Sequence, residues 1–154
     1  QSLQRKITSM KKKMIYLFFI SALLPLRGQV QTPSDFWNSQ SDGEKVAFIN
    51  GAYAAISTLK NHHQLEVKKQ YMHNDNWVEP YYIRRFYDIA DEYRSNEVGY
   101  NLKIIAMHMD AFYTNSDNSR IPVMESLRIV SLIQDGDRDR ANLRLLKAQR
   151  KHNK

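Results

Sequence analysis

The 154-residue chain contains no cysteine, only five glycines and only four prolines. Without cysteine it forms no disulfide bond and no thiolate metal site, so its stability must come from a hydrophobic core. Five scattered glycines leave no room for a glycine-rich phosphate-binding loop. No segment alternates apolar and polar residues over the length of a strand, which favours a helical protein.

Catalytic motifs are also missing. The chain has no Gly-x-Ser-x-Gly turn of a serine nucleophile and no His-Glu-x-x-His zinc motif. Its 16 carboxylates are spread along the chain, and no spacing fixes two of them into a cleft. The sequence therefore indicates no catalytic residue and no cofactor.

The first 28 residues have the composition of a secretory leader. Lys11, Lys12 and Lys13 precede an apolar run at residues 14–26, and the small residue Gly28 follows it. As a helix this run would span about 20 Å, less than the roughly 30 Å hydrocarbon core of a membrane. We therefore expect an upstream extension and a signal peptide in residues 1–28, with a retained membrane anchor as the alternative. The mature protein would be periplasmic or extracellular, without stable membrane insertion.

The net charge of +7 depends on this leader. Six of the 23 basic residues and none of the 16 acidic residues precede Gln29, which leaves 17 basic against 16 acidic residues in the mature chain. Seven basic residues then fall in residues 138–154, where Asp139 is the one acidic residue. Such a basic end is more typical of a solvated terminus than of a binding site, and the composition predicts no nucleic-acid partner.

Apolar residues recur at helical spacing through the rest of the chain. The expected helices cover residues 42–60, 64–72, 80–94, 98–113, 122–133 and 138–150, after an extended entry segment at residues 29–36. Ser41 and Glu44 match a capping box, and Gly136 supplies a helix stop. The pattern predicts an all-α fold: a single small bundle of four to five helices in residues 29–137, followed by a basic C-terminal helix or tail in residues 138–154.

Residues 107–133 are the part of the chain around which we expect the rest to pack. Two amphipathic segments flank a short polar loop at residues 114–120, which predicts two antiparallel helices that share one core. Pro122 suits the first turn of the second helix, where its missing N–H costs nothing. The expected structural junction consists of Phe112, Tyr113, Asn118, Ile121 and Pro122, with Asn118 hydrogen-bonded to nearby backbone.

Histidines are the first candidates for a metal site in a chain without cysteine. His62 and His63 are adjacent, so on a helix they point about 100° apart and share an ion poorly. His73 follows ten residues later beside Asn74 and Asp75. We expect no metal site, and if one exists its ligands would be His62, His63 and His73.

Aromatic residues and arginines crowd residues 77–87. The candidates for protein contact among them are Trp77, Tyr81, Tyr82, Arg84, Arg85 and Phe86. Tyrosine, tryptophan and arginine are favoured at protein–protein contacts, and the same mixture can stack on single-stranded nucleic acid. The predicted export argues against nucleic acid. We expect most of these rings to lie in the core, with a protein-contact surface as the alternative.

Several residues follow a pattern of small exported helical proteins of bacteria. They are Trp37, Lys45, Gly51 and Tyr53, then Phe112-Tyr113 and the motif Asn118-x-x-Ile121-Pro122. The layout is similar to that of Tai-type immunity proteins over about residues 37–133. The resemblance implies a periplasmic helical protein that neutralises a secreted peptidoglycan amidase. The cysteines common in that family are absent here, and the resemblance carries over no functional residue.

Together these features predict an exported helical protein that acts by binding another, unidentified protein, in an immunity-like or accessory role rather than in catalysis. One alternative is a small periplasmic hydrolytic or metal-dependent enzyme that uses the histidines. Another is a cell-envelope structural protein whose basic end contacts anionic lipid or polymer.

Overall fold

The computed structural model describes residues 31–99 and 101–153. The signal peptide expected in residues 1–28 lies outside the described residues. Six α-helices lie within them: α1 (Pro33–Asn38), α2 (Asp42–Tyr71), α3 (Tyr81–Asp91), α4 (Leu102–Tyr113), α5 (Val123–Gln134) and α6 (Arg138–His152), with a 3₁₀ turn at Ser116–Asn118. These residues contain no strand, which confirms the all-α fold class.

Side-chain hydrogen bonds fix where the first two helices begin. Ser41 and Glu44 form the expected capping box at the start of α2. Thr32, immediately before Pro33, and Asp35, the third residue of α1, form a second capping box, so the expected extended segment is wrong from Pro33 onward. Thr32 and Ser41 each donate a side-chain and a backbone hydrogen bond to these carboxylates. The side-chain bond has the larger effect, and together the bonds hold the pKa of Asp35 and of Glu44 below the usual range.

α2 is longer than the sequence pattern indicates. The expected break after residue 60 does not occur, and α2 continues for 30 residues, about 45 Å at 1.5 Å per residue. Residues 61–70 have no continuous apolar face, and Val67 is their one half-buried member. They also contain no glycine or proline, and most have good helix propensity, so nothing interrupts the backbone. None of the helices just described is both long and apolar enough to cross a membrane.

The segment between α3 and α4 is not helical. Its residues instead form hydrogen bonds with Asp135, the residue after α5. The expected helices extend three and four residues too far into this segment. The Ser95 hydroxyl donates to the carboxylate of Asp135 at 2.6 Å, and the backbone N–H groups of Asn96 and Glu97 donate to it at 3.1 and 3.2 Å. These bonds replace the backbone hydrogen bonds that a longer helix would make.

α5 is the central helix of the core. Seven consecutive residues, from Ser126 to Leu132, are buried because α1, α4 and α6 all pack against this helix. Helical spacing from Leu127 and Val130 predicts that Ile133 also faces inward, but Ile133 is exposed, whereas Arg128 and Ser131 are buried. The surrounding core consists of Trp37, Ile49, Tyr53, Leu102, Ile105, Ala106, Met109, Phe112, Tyr113, Ile121, Leu127, Ile129, Val130, Leu132, Ala141 and Ala148.

The C-terminal segment is a packed helix over its described residues. Asp137 accepts a hydrogen bond from the backbone of Arg140, and Gly136 adopts a φ of +78° at the preceding helix stop. Ala141 and Ala148 face α5 and belong to the core. The C-terminal helix therefore contributes an apolar face to the core.

Tyr113 closes the junction between α4 and α5. Its hydroxyl donates to the carbonyl of Ile121 at 2.8 Å and accepts from the hydroxyl of Ser126 at 2.9 Å. Burial raises the pKa of Tyr113 to about 12, although the Ser126 hydrogen bond partly opposes this effect. The phenol therefore stays protonated and keeps its donor role well above neutral pH.

Asn118 links the same junction to α6. Its side-chain amide donates to the carbonyl of Phe112 at 2.8 Å, and its carbonyl oxygen accepts from Gln149 at 2.9 Å. Pro122 is exposed and lies immediately before α5, whereas the sequence predicts it as the first residue of that helix. The loop is thus held to α4 by a buried side-chain hydrogen bond and to α6 by a partly buried one.

We predict that Tyr113→Phe lowers the free energy of unfolding by about 2–3 kcal/mol, because it leaves a buried carbonyl and a buried hydroxyl without partners. Urea denaturation followed by circular dichroism measures this change. The matched control is Ser126→Ala, which leaves the bond from Tyr113 to Ile121 intact and should cost about 1 kcal/mol. Equal losses in the two variants would contradict the role of the Tyr113 hydroxyl.

Candidate protein-contact surface

α3 exposes the aromatic side chains that the sequence placed in the core. Tyr81 and Tyr82 are each 69% exposed and Phe86 is 43% exposed. The buried residues of α3 are instead Ile83, Tyr87 and Ala90. Tyr82 and Phe86 each lie about 100° around the helix from the next residue, Ile83 and Tyr87, so the sequence alone does not decide which of these two neighbouring rows faces inward. The expectation of a core position is therefore wrong for Tyr81, Tyr82 and Phe86.

Arg84 completes this exposed group, and the other two candidates lie elsewhere. Arg84 is exposed and makes no ion pair with any residue that the structure describes. Arg85 turns toward Glu92, and its Nη1 lies 3.2 Å from Oε1 of that carboxylate. Trp77 is half-buried in the loop before α3 and stacks on Tyr71, with ring centroids 4.7 Å apart. We call Tyr81, Tyr82, Arg84 and Phe86 the α3 surface.

The inner side of α3 is fixed against α2. Nδ1 of His63 lies 2.9 Å from the hydroxyl of Tyr87, and the imidazole packs against the ring of Phe86 at a centroid distance of 5.1 Å. Lys60 donates to both carboxylate oxygens of Asp91 at 2.6 Å. These contacts hold the α3 surface in a defined orientation on α2.

The candidate metal ligands do not converge. His62, His63 and His73 are all exposed, and His63 also contacts aromatic residues of α3. Across residues 31–99 and 101–153, no group of three or more His, Asp or Glu side chains is close enough to hold a metal ion. The structure therefore does not bring His62, His63 and His73 together as a metal site.

Glu92, the residue after α3, is a buried carboxylate surrounded by arginines. Its side chain is 5% exposed, and Nε and Nη2 of the buried Arg128 both donate to its Oε2, the former at 2.7 Å. Arg85 and Arg140 lie 3.2 and 3.4 Å from Oε1, and Arg144 lies 3.5 Å from Oε2. These five residues, the Glu92 cluster, join the end of α3 to α5 and α6.

The arginines keep Glu92 ionised. Burial raises the pKa of this carboxyl group, but the hydrogen bonds and charges of Arg128 and then Arg85 outweigh burial and hold the pKa below its usual range. The guanidinium of Arg128 also lies 5.2 Å from the ring centroid of Tyr93. Loss of Glu92 would leave the guanidinium of Arg128 buried without its counter-ion.

Sequence reasoning missed the Glu92 cluster. Glu92 and Arg128 are 36 residues apart, and no local spacing connects them. Arg140 and Arg144 looked like part of a solvated basic end, whereas both face the Glu92 carboxylate. The one available signal was Arg128 itself, a charge within an apolar helix that requires a partner once the helix is buried.

A second charged cluster joins α1, α2 and α4. Trp37 Nε1 and Lys45 Nζ both donate to Oδ1 of Asp110, at 2.7 and 2.8 Å. Trp37 is fully buried, and the buried Lys45 lies over its ring at 5.7 Å. A cavity of about 520 Å³ lies beside Asp110, between α2 and α4. The resemblance had singled out Trp37 and Lys45 without indicating Asp110 or the contact between the three.

The other two residues of that pattern lie further along α2. The Tyr53 hydroxyl is 3.3 Å from the hydroxyl of Ser131 and accepts from the backbone N–H of Ser95 at 3.4 Å. Gly51 is exposed, and a Cβ atom added there would meet open space. Tyr53 therefore has a packing role, and Gly51 does not mark a close approach of another helix.

Comparison with known proteins gives no match: no protein-family model, no curated protein and no solved structure is significantly similar to the chain.

We predict that Glu92→Gln lowers the free energy of unfolding by about 3 kcal/mol at pH 7, because it uncouples a buried guanidinium from its counter-ion. The pKa of Glu92 is lowered by folding, so the carboxylate stabilises the protein above the unfolded-state value of about 4.3. This contribution is lost as the pH falls through the lower pKa of the folded state. Urea titrations between pH 3 and pH 7 should show the difference from the original protein shrinking below about pH 4.

Glu125→Gln is the matched control for this prediction. Glu125 pairs with Arg144 at 2.8 Å, but its side chain is 26% exposed. The substitution should cost less than about 1 kcal/mol, as is usual for accessible ion pairs. A loss for Glu92→Gln that is no larger than the loss for Glu125→Gln would contradict the central role of Glu92.

Proposed function

We propose that this protein is exported and acts by binding another protein through the α3 surface, in an immunity-like or accessory role rather than in catalysis. The observation that carries the proposal is the exposure of Tyr81, Tyr82 and Phe86 on one short helix. The leader pattern at residues 1–28 supports export. The resemblance to Tai-type immunity proteins supports the immunity-like form of the role.

The α3 surface has the composition of a binding hot spot. Tyrosine and arginine are enriched among the residues that dominate protein–protein binding energies. The exposed parts of the three rings amount to roughly 300 Å² that a partner could cover. At about 25 cal/mol per Å², this area would contribute about 7 kcal/mol before the costs of association are subtracted. Arg84 adds hydrogen-bond donors on another side of the same helix, about 160° around its axis from Phe86.

The contacts that hold α3 in place lower the entropic cost of such binding. His63 and Lys60 of α2 hold Tyr87 and Asp91, and the Glu92 cluster holds the end of α3. The helix backbone that carries the rings is therefore ordered before a partner arrives. Less conformational entropy is then lost on association.

Neither alternative function gains a specific observation. A histidine-based enzyme would need imidazoles that converge, and His63 is engaged with Tyr87. An envelope-binding basic end would use the cations of α6, of which Arg140 and Arg144 face Glu92. Lys147 and Lys151 remain exposed on α6 and are the residues with which to test that alternative.

We predict that the double variant Tyr82→Ala, Phe86→Ala reduces capture of the partner from a periplasmic extract by about 30-fold or more, because loss of hot-spot side chains costs 2 kcal/mol or more. The immobilised protein and the variant are compared across a dilution series, with captured proteins quantified by mass spectrometry. Circular dichroism of the variant verifies that its helices are intact.

The matched control is Leu143→Ala, Leu146→Ala, which removes two comparably exposed apolar side chains from α6. This control should capture the same protein at the same dilution as the original chain. Equal capture by the Tyr82→Ala, Phe86→Ala variant would refute binding through α3. Loss of binding in Lys147→Glu, Lys151→Glu alone would favour the envelope-binding alternative.

A further inference from the structure

A cavity of about 420 Å³ lies between the first turn of α5 and the second half of α6. Arg144, Lys147 and Lys151 line it from α6, because residues three and four positions apart share one face of a helix. Glu125 lines it from α5. A volume of this size falls in the range of small-molecule binding sites.

The charged groups in this lining are net positive at pH 7. Arg144, Lys147 and Lys151 carry three positive charges against the single carboxylate of Glu125, which leaves +2 with His152 neutral. Glu125 is paired with Arg144 at 2.8 Å. Lys147 and Lys151 are exposed and make no ion pair with any residue that the structure describes. The cavity therefore presents two uncompensated ammonium groups.

Charges beyond the lining do not cancel this excess. The adjoining Glu92 cluster has one carboxylate and four guanidinium groups. Asp137 pairs with Arg140 of that cluster, so it compensates a charge there and not the two lysines. The electrostatics of the site therefore select an anion.

Most of the remaining wall of the cavity is carbon. Pro122, Met124 and Ala148 contribute aliphatic surface, and Tyr93 contributes its ring. The guanidinium of Arg128 lies 5.2 Å from the centroid of this ring and helps to fix its position. An apolar wall beside two ammonium groups suits a ligand that has an anionic end and an organic body, rather than a bare ion.

We propose that this cavity binds a small phosphate monoester with an apolar organic group. Such a phosphate carries a charge of about −1.5 to −2 at pH 7, which matches the two unpaired lysines better than the single charge of a carboxylate does. Lys147 and Lys151 would donate to the phosphate oxygens, as lysines do in other phosphate sites. The organic group would cover Pro122 and Met124.

A free ester and the headgroup of phosphatidic acid both present this chemistry, and the experiments below distinguish them. The inference goes beyond the proposed function, because the cavity lies between α5 and α6 and uses no residue of the α3 surface.

The side-chain methyl group of Met124 provides a direct reporter, since Met124 lines the cavity. The chain has six methionines, so Met124→Leu identifies its signal in a ¹³C–¹H correlation spectrum of methyl-labelled protein. Titration with phenyl phosphate should shift this signal with saturation at a Kd on the order of 1 mM, the range expected for a ligand of this size. Phenyl sulfate, which has the same shape and a single charge, should bind about tenfold more weakly, because it accepts weaker charge-assisted hydrogen bonds.

The double variant Lys147→Gln, Lys151→Gln tests the location. Removal of both ammonium groups should weaken phenyl phosphate binding about tenfold or more. The matched control is Lys68→Gln, Lys69→Gln, which makes the same change in net charge at two exposed positions of α2 that do not line the cavity. This control should bind phenyl phosphate as the original protein does.

Sedimentation with phosphatidylcholine vesicles identifies the source of the phosphate. The vesicles contain either phosphatidic acid or phosphatidylglycerol, a diester, at matched surface charge. Binding to phosphatidic acid alone, lost in Lys147→Gln, Lys151→Gln, would assign the site to a lipid headgroup. A Met124 shift with phenyl phosphate and no binding to either vesicle would assign it to a free ester.

Four results would overturn the proposal. These are equal affinity for phenyl phosphate and phenyl sulfate, no shift of the Met124 signal up to about 50 times the expected Kd, equal weakening in the cavity variant and its control, and equal binding to the two kinds of vesicle. The last result would indicate a general attraction to anionic surfaces. None of these measurements involves Tyr82 or Phe86, so failure here is distinguishable from failure of the proposed function.

Discussion

The carboxylate of Glu92 determines how three helices meet. Glu92 is the residue after α3, and its carboxylate contacts α5 through Arg128 and α6 through Arg140 and Arg144. α5 can be buried on all sides only because the charge of its Arg128 is compensated there, since an isolated guanidinium in a core is very costly. The same contact fixes the end of α3 and thereby the direction in which its outer aromatic side chains face.

Ion pairs between distant segments also account for the uneven charge of the chain. The basic C-terminal segment contributes two of its seven basic residues, Arg140 and Arg144, to acidic partners in the body of the protein. Lys45 and Asp110 form a comparable link between α2 and α4. In a chain without cysteine, these pairs connect residues that are far apart in sequence. Their buried geometry favours one arrangement of the helices, because other arrangements would leave charges unpaired.

Local patterns predicted the features that depend on neighbouring residues. The capping box at Ser41 and the helix stop at Gly136 both involve residues a few positions apart. The lack of an apolar stripe predicts a helix break after residue 60, but backbone propensity suffices to continue α2 where α3 packs alongside. The outward row of α3, the Glu92 cluster and the Asp110 contacts depend on tertiary packing, which periodicity does not reveal.

The last third of α2, residues 61–70, extends beyond the hydrophobic core. Residues 61–70 bury almost nothing of their own, so their helical state depends on local propensity and on contacts such as that of His63 with Tyr87. Opening of these turns should therefore require much less free energy than opening of the core. A molecule that binds α3 would stabilise its contacts with α2. Amide hydrogen exchange in residues 61–70 of α2 would therefore slow, although the molecule does not contact α2.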